Sequence, residues 1–527
     1  MSRRPPAPLV LVAAAIVGLI SLPLVYLLVR TVEGGERAWE ILFSRALLEL
    51  VVDTGVLVAA VTGTALAVGL PLAWLTTRTD LPWRGFWATA AALPLVIPSY
   101  VAALVFLAAF GPRGLLQRLL EGPFGVERVP EIYGLPGAWL ALTVATYPFV
   151  FILTSAALRD LDPSLEDASR GLGRSRLTTF RRVTLPVIRP SLAAGALLVA
   201  LYTLADFGAV SLMQYDSLTR AVYLQYRALF DRTPAAVLAL VLVAITALVL
   251  VLELRARGRA RTNRAGSGSP RPAPTVALGG WKAPALVFCT SVVGIALIVP
   301  LAVLGYWAGR AFSDDEPLGW SWEPAVNSVG ISLLAAGAAV AVSLPVGILA
   351  ARYPSALSRT LERLSYAGNA LPGIVIALSL VFFAANYATP VYQTLALLVF
   401  AYVVRFFPQA LAGSEAALQR VSPRLEEAGR ALGRRPADVF VRVTAPLVTP
   451  GLLAGGALVF LSTMKELPAT LLLRPIGFET LATEIWRYTS VASYSRAALP
   501  ALVLIALSAP LVYALRARTA SDSGAPG

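Results

Sequence analysis

Two acids stand where acids are rare. Asp206, in LYTLADFGAV, and Glu466, in STMKELPATL, each lie within or at the end of an otherwise apolar stretch. A carboxylate taken out of water is costly, so each marks either a route for a polar solute or a paired structural site. Their oxygens suit a hard cation. Two blander readings compete: Lys465 adjoins Glu466 and can neutralise it, and both acids can act as gate or capping residues at the outer mouth. Tyr202 and Met213 flank Asp206, where such residues often serve packing alone. The candidate pathway set is Asp206, Glu466, Lys465 and Tyr202, with Asp206 and Glu466 the only metal contacts to be considered.

Other chemistry is excluded by residue counts. The 527-residue chain has no histidine, which removes imidazole metal sites and His-based acid–base catalysis together. Its single cysteine, Cys289, lies in an apolar run and permits no intrachain disulfide. Only Lys282 and Lys465 among 44 basic residues are lysine, and neither sits in G-x-x-x-x-G-K-[ST], so no phosphate-binding loop of that type exists here. No enzymatic activity of its own is expected, and no cofactor in this chain.

The strongest pattern is a repeat. DPSLEDASRGLGRSRLTTFRRVTLPVIRP, from Asp162 to Pro190, returns without a gap as SPRLEEAGRALGRRPADVFVRVTAPLVTP from Ser422 to Pro450. Asp206 and Glu466 align at the same offset. Each copy reads as two short helices around a glycine. Asp162 or Ser422 caps the first, with Pro163 or Pro423 at its first position. Glu166/Asp167 and Glu426/Glu427 complement the helix dipole. Gly173 and Gly433 suit the left-handed residue that ends it. A second amphipathic turn carries Leu177, Phe180 and Val183, matched by Ala437, Phe440 and Val443, and Pro186 and Pro446 are expected to stop it. An exposed helix pair with an aromatic at one fixed position can plug into a groove on a partner, or simply lie on a membrane surface. Two gapless copies favour a two-fold partner.

The elements that position these residues are membrane spans. Apolar residues make up 57% and charged residues 14% of the chain, and mean hydropathy is +0.72. A soluble chain is about a quarter charged. The apolar blocks run to about 20 residues, enough to cross a ~30 Å hydrocarbon core as helices. The expected fold is an all-α polytopic membrane protein of about 12 spans in two parallel-repeat halves of six. The first half covers 1–254 with its loop at 162–190. An Arg/Gly/Ser/Pro linker, expected to be flexible, covers 255–282. The second half covers 283–518 with its loop at 422–450, and a disordered tail covers 519–527. The formal charge of +14 comes from arginine in loops. It reads as positive-inside bias rather than nucleic-acid binding, with both termini and both repeated loops cytoplasmic.

D-A-S-x3-G-x9-V-x-L-P (Asp167 to Pro186) and E-A-G-x3-G-x9-V-x-A-P (Glu427 to Pro446) resemble the EAA loop of the permease subunits of ATP-binding-cassette importers. The stretches from Leu201 and Ser462 resemble the fused permeases of ferric-iron importers; permeases for thiamine, polyamines and sulfate share the architecture. The copies depart from the family pattern at Asp167, for the usual Glu, and at Ala445, for the Leu before proline. The resemblance implies the type I importer permease fold in the inner membrane. It implies a homodimeric ATPase partner carrying ATP and Mg, and a periplasmic or lipid-anchored substrate-binding protein, with membrane lipid around the spans. It also implies ATPase coupling through Glu166, Asp167, Ala168, Gly173, Phe180 and Pro186, and through Glu426, Glu427, Ala428, Gly433, Phe440 and Pro446. The rival class is an ion-coupled secondary transporter, which would place its strongest features near the bilayer midplane.

Overall fold

The computed structural model describes residues 5–111, 114–125, 131–228, 232–260, 275–313 and 320–521. Among these, eleven helices are long and apolar enough to cross a membrane, from Ala7–Glu33 to Tyr494–Leu511. Gly373–Tyr387 is a shorter apolar helix in the place of a further expected span. The one β pairing among the described residues is an isolated parallel bridge between Thr79 and Val276. The fold is all-α, as the apolar blocks require: in hydrocarbon each backbone amide must bond within its own segment.

Each half has a matched three-helix centre. Arg45–Arg78 packs on Leu135–Arg159 and Leu185–Ala205; Glu323–Arg352 packs on Leu395–Arg420 and Ala445–Met464. Small residues set the spacing, since apolar side chains gain little from leaving lipid and close backbone approach must supply the attraction. A Cβ on Gly413 would lie 2.8 Å from the Cα of Gly455, so these two backbones touch directly. Ser343 Oγ and Ser414 Oγ, 2.7 Å apart, add a polar contact between the neighbouring pair.

The first span of each half packs on the other half as well as on its own. Ala7–Glu33 packs on Glu323–Arg352, Ala356–Ser365 and Gly373–Tyr387, and Tyr26 meets Phe383 edge-on at 5.9 Å. In return Lys282–Val293 packs on Arg45–Arg78 and Arg84–Ala90, and Val299–Ser313 on Ser99–Phe110. The halves are thus interlocked, an arrangement that helix periodicity does not encode.

Several expected boundaries shift. The 255–282 linker is helical to Ala260, and its far end is pinned: Val276 N donates to Arg78 O at 2.8 Å, Leu278 N to Asp80 Oδ1 at 2.8 Å, and Lys282 pairs with Asp80 at 2.8 Å. Residues 261–274 lie outside the described residues. The tail boundary moves because Tyr494–Ser521 is one helix, and 522–527 lie outside the described residues. The segment expected as a loop at 111–134 contains the helix Leu115–Phe124. Finally, Pro186 and Pro446 do not stop the second loop helix. The chain passes from Arg176–Thr179 through a π-turn at Phe180–Thr184 straight into Leu185–Ala205, and the second copy does the same at Phe440–Thr444. A proline lacks an N–H, and the wider turn before it takes up the mismatch.

Candidate functional site

The two repeated loops fold alike. Asp162 accepts a hydrogen bond from Ser164 N at 2.9 Å and Ser422 one from Arg424 N at 3.4 Å, capping Pro163–Gly171 and Pro423–Ala431. This bond to the ionised carboxylate holds Asp162 below its usual pKa. Gly173 and Gly433 have φ of 77° and 78°, the left-handed turn expected of them. The amides of Arg174 and Arg434 reach back to Ser169 O and Gly429 O, both at 3.3 Å, closing each helix end.

Inside each loop the acids divide. Glu166 is buried: Thr184 Oγ1 donates to it at 2.6 Å, and Arg78 and Arg170 lie 3.7 and 3.6 Å away. Glu426 repeats this with Thr444 at 3.2 Å, Arg352 at 2.9 Å and Arg430 at 3.6 Å. These glutamates tie the loop to the end of a membrane helix. Asp167, Glu427, Ala168 and Ala428 face outward. The aromatic expected as the plug is turned in: Phe180 is half-buried with its ring edge-on to Trp74 at 6.5 Å, and Phe440 is likewise half-buried. What projects instead is leucine. Leu172 and Leu432 are 78% and 83% exposed, with Leu165 and Leu425 beside them. A leucine before the turn glycine in both copies was the available signal, and the aromatic distracted from it.

The copies differ at one internal contact. Ser169 Oγ and Thr179 Oγ1 are 3.0 Å apart in the first loop. In the second the same positions are Gly429 and Val439, and a Cβ on Gly429 would sit 3.0 Å from Val439 Cγ2. A hydroxyl pair is exchanged for glycine against an isopropyl group, so the DAS and EAG variants are each self-consistent.

The acids Asp206 and Glu466 occupy equivalent turns between a long helix and a short one. Asp206 is buried, receives Ala209 N at 2.9 Å and a hydrogen bond from Ser99 Oγ, and so caps Gly208–Leu212. Glu466 is buried and accepts from Ala469 N at 3.0 Å and Thr470 N at 3.2 Å, capping Pro468–Leu473. Tyr202 shares Ser99 with Asp206. Lys465 does not neutralise Glu466. Its ammonium donates to Leu95 O at 2.6 Å, across to the other half. The cation at Glu466 is Arg405, 3.9 Å from Oε1. Arg405 was legible as an arginine within VFAYVVRFFPQA but was not singled out. Capping and cluster roles therefore coincide in the same two acids. Among the described residues no three His, Cys, Asp or Glu side chains come together to hold a metal ion.

Comparison with known proteins gives a family. Residues 50–259 and 343–519 match the model of the binding-protein-dependent transport system inner membrane component. The Fe(3+)-transport system permease protein FbpB 2 of Haemophilus influenzae is 34% identical over 520 residues, covering 98% of this chain and 99% of that one. The ferric transport system permease protein FbpB of Actinobacillus pleuropneumoniae is 22% identical, over 77% of this chain and 61% of its own. The sulfate transport system permease protein CysT of Salmonella typhimurium is 34% identical over a shorter stretch, 27% of this chain and 50% of its own.

Proposed function

The chain belongs to the family of binding-protein-dependent transport system inner membrane components, and we propose that it is the fused permease of a ferric-iron importer. The iron reading rests on the near full-length likeness to a relative named for Fe(3+) transport; the sulfate relative matches over a much shorter stretch. Substrate arrives from an extracytoplasmic binding protein. Energy arrives from a separate ATPase, taken to be a homodimer because the two loops offer equal sockets. ATP and Mg2+ belong to that partner, and this chain needs no cofactor. Both termini lie in the cytoplasm with the loops, and lipid surrounds the spans.

The observation that carries the coupling role is the matched pair of loops, each clamped by a glutamate paired with two arginines and presenting an exposed leucine before a left-handed glycine. Asp167, Ala168, Glu427 and Ala428 line the presented faces; Glu166, Glu426, Phe180, Phe440, Pro186 and Pro446 transmit the push into the following span. For the cargo, Asp206, Glu466 and Tyr202 offer oxygen donors. Arg405 counterbalances Glu466 at rest, so a trivalent cation must compete with the guanidinium for Glu466 before moving on. That competition keeps binding weak enough for release.

The test is uptake of radioactive iron into proteoliposomes holding the permease and its co-expressed ATPase, fed by the cognate binding protein. Iron uptake dependent on ATP is expected. Uptake of sulfate, thiamine or a polyamine with none of iron would sink the cargo assignment, while Leu172→Asp with Leu432→Asp tests the docking separately by loss of ATPase co-purification.

A further inference from the structure

Arg78 ends the Arg45–Arg78 helix and is 3% exposed, yet its Nε, Nη1 and Nη2 have no hydrogen-bond partner among the described residues. Its ion pair with Glu166 is long, 3.7 Å, and Glu166 is shared with Arg170. The twin in the second half is satisfied: Arg352 donates to Val421 O at 3.0 Å and to Glu426 Oε1 at 3.1 Å. A buried guanidinium with unmade bonds costs free energy unless something else accepts them.

That guanidinium lines a cavity of about 430 Å³, together with Arg170, Arg176, Trp74, Leu177 and Phe180. A second, almost wholly apolar groove of about 620 Å³ shares Pro71, Trp74 and Val276 with it and runs on past Trp281 to Phe288. The two form one amphiphilic channel. Three arginines and a single glutamate line the first cavity, and aromatic and aliphatic side chains of Arg45–Arg78 and Lys282–Val293 line the second.

We infer that this channel binds one anionic phospholipid, with its phosphate among Arg78, Arg170 and Arg176 and its acyl chains along Trp74, Trp281 and Phe288. Charge complementarity selects the headgroup: a guanidinium presents its donors in a planar fork that matches phosphate oxygens. Continuity of the apolar groove selects a lipid over a free anion. Basic pockets between membrane helices at the loop-bearing face take such headgroups. The bound phosphate completes, in the first half, what Val421 O and Glu426 do for Arg352 in the second. It also sits against the elbow where Arg176–Thr179 enters the span, and so steadies one loop of the two. The site is independent of the solute carried.

The full chain in nanodiscs of phosphatidylcholine mixed with phosphatidylglycerol, released into native mass spectrometry, tests this. One phosphatidylglycerol retained per chain is expected, falling about tenfold or more in Arg78→Gln and in Arg176→Gln, with Arg359→Gln unchanged. Arg78 is buried and its loss can unfold the chain, whereas Arg176 is exposed, so Arg176→Gln gives the reading on a folded protein. Equal retention of phosphatidylcholine, or retention undiminished in folded Arg176→Gln, overturns the proposal. So does release of the lipid by inorganic phosphate alone, which would make the site a simple anion site.

Discussion

At the scale of single residues, two neighbouring acids in each loop do different work. Glu166 is a clamp: removing it leaves Arg78 and Arg170 facing each other in a buried place, and an uncompensated buried charge costs about 3–5 kcal/mol. Glu166→Ala is therefore expected to lower the unfolding midpoint of the purified permease clearly, while exposed Asp167→Ala shifts stability by less than about 0.5 kcal/mol. Equal losses in a thermal unfolding series would refute the division. Arg405 is the second residue-scale case. It is the cation at Glu466, so Arg405→Ala should reduce iron uptake about tenfold or more with the ATPase still bound, and Arg405→Lys should recover part of it. Full uptake by Arg405→Ala would remove the guanidinium from the pathway.

At the scale of elements, each loop owes its shape to a local contact that differs between the copies. Gly429→Ser brings a side chain against Val439 and is expected to loosen the second loop. Adding Val439→Thr rebuilds the Ser169–Thr179 pair of the first loop and should restore it. Hydrogen exchange across 423–444 reads the outcome: faster in the single variant, near wild type in the double. A double variant as loose as the single would show that the two solutions are not interchangeable. The second loop helices also continue through a π-turn into their spans, so a push passed on across the Gly173 or Gly433 turn reaches the long helix that ends just before Asp206 or Glu466.

At the scale of the whole molecule, the packing of each first span across the two halves makes them mutually dependent. Co-expressed fragments 1–260 and 275–527 are expected to co-purify, because Ala7–Glu33 and Lys282–Val293 each pack on the opposite half. Deleting residues 7–33 from the first fragment should weaken that association markedly. Unaltered co-purification would mean the central helices suffice. The strap at Asp80 adds to the lock. Hydrogen bonding to Lys282 and to Leu278 N holds the Asp80 carboxyl below its ordinary value of 3.8. A depressed carboxylate stabilises the fold above its unfolded pKa and stops doing so as pH falls through the folded one. The strap is thus intact at neutral pH and released only in strong acid, whereas Asp80→Asn should loosen it at any pH.

The sequence alone determined what depends on short-range order. Apolar block length dictates membrane helices, the cap, proline and glycine positions dictate the loop helices, and the gapless repeat dictates two equivalent halves. Asp206 and Glu466 were legible because a carboxylate in an apolar stretch is conspicuous. Only the tertiary structure decided direction and partnership. Helical periodicity places Phe180 and Leu172 on a helix but does not say which one meets the protein body, and Trp74, more than a hundred residues earlier in the chain, turns the phenylalanine inward. Adjacency suggested Lys465 as the partner of Glu466, yet in the turn that follows Met464 the two side chains go to different partners. The lysine crosses to Leu95, and Arg405 takes the acid. The cross-packing of the first spans was equally hidden, since a uniformly apolar helix satisfies lipid and either half alike, and its neighbours are set by the surfaces it meets.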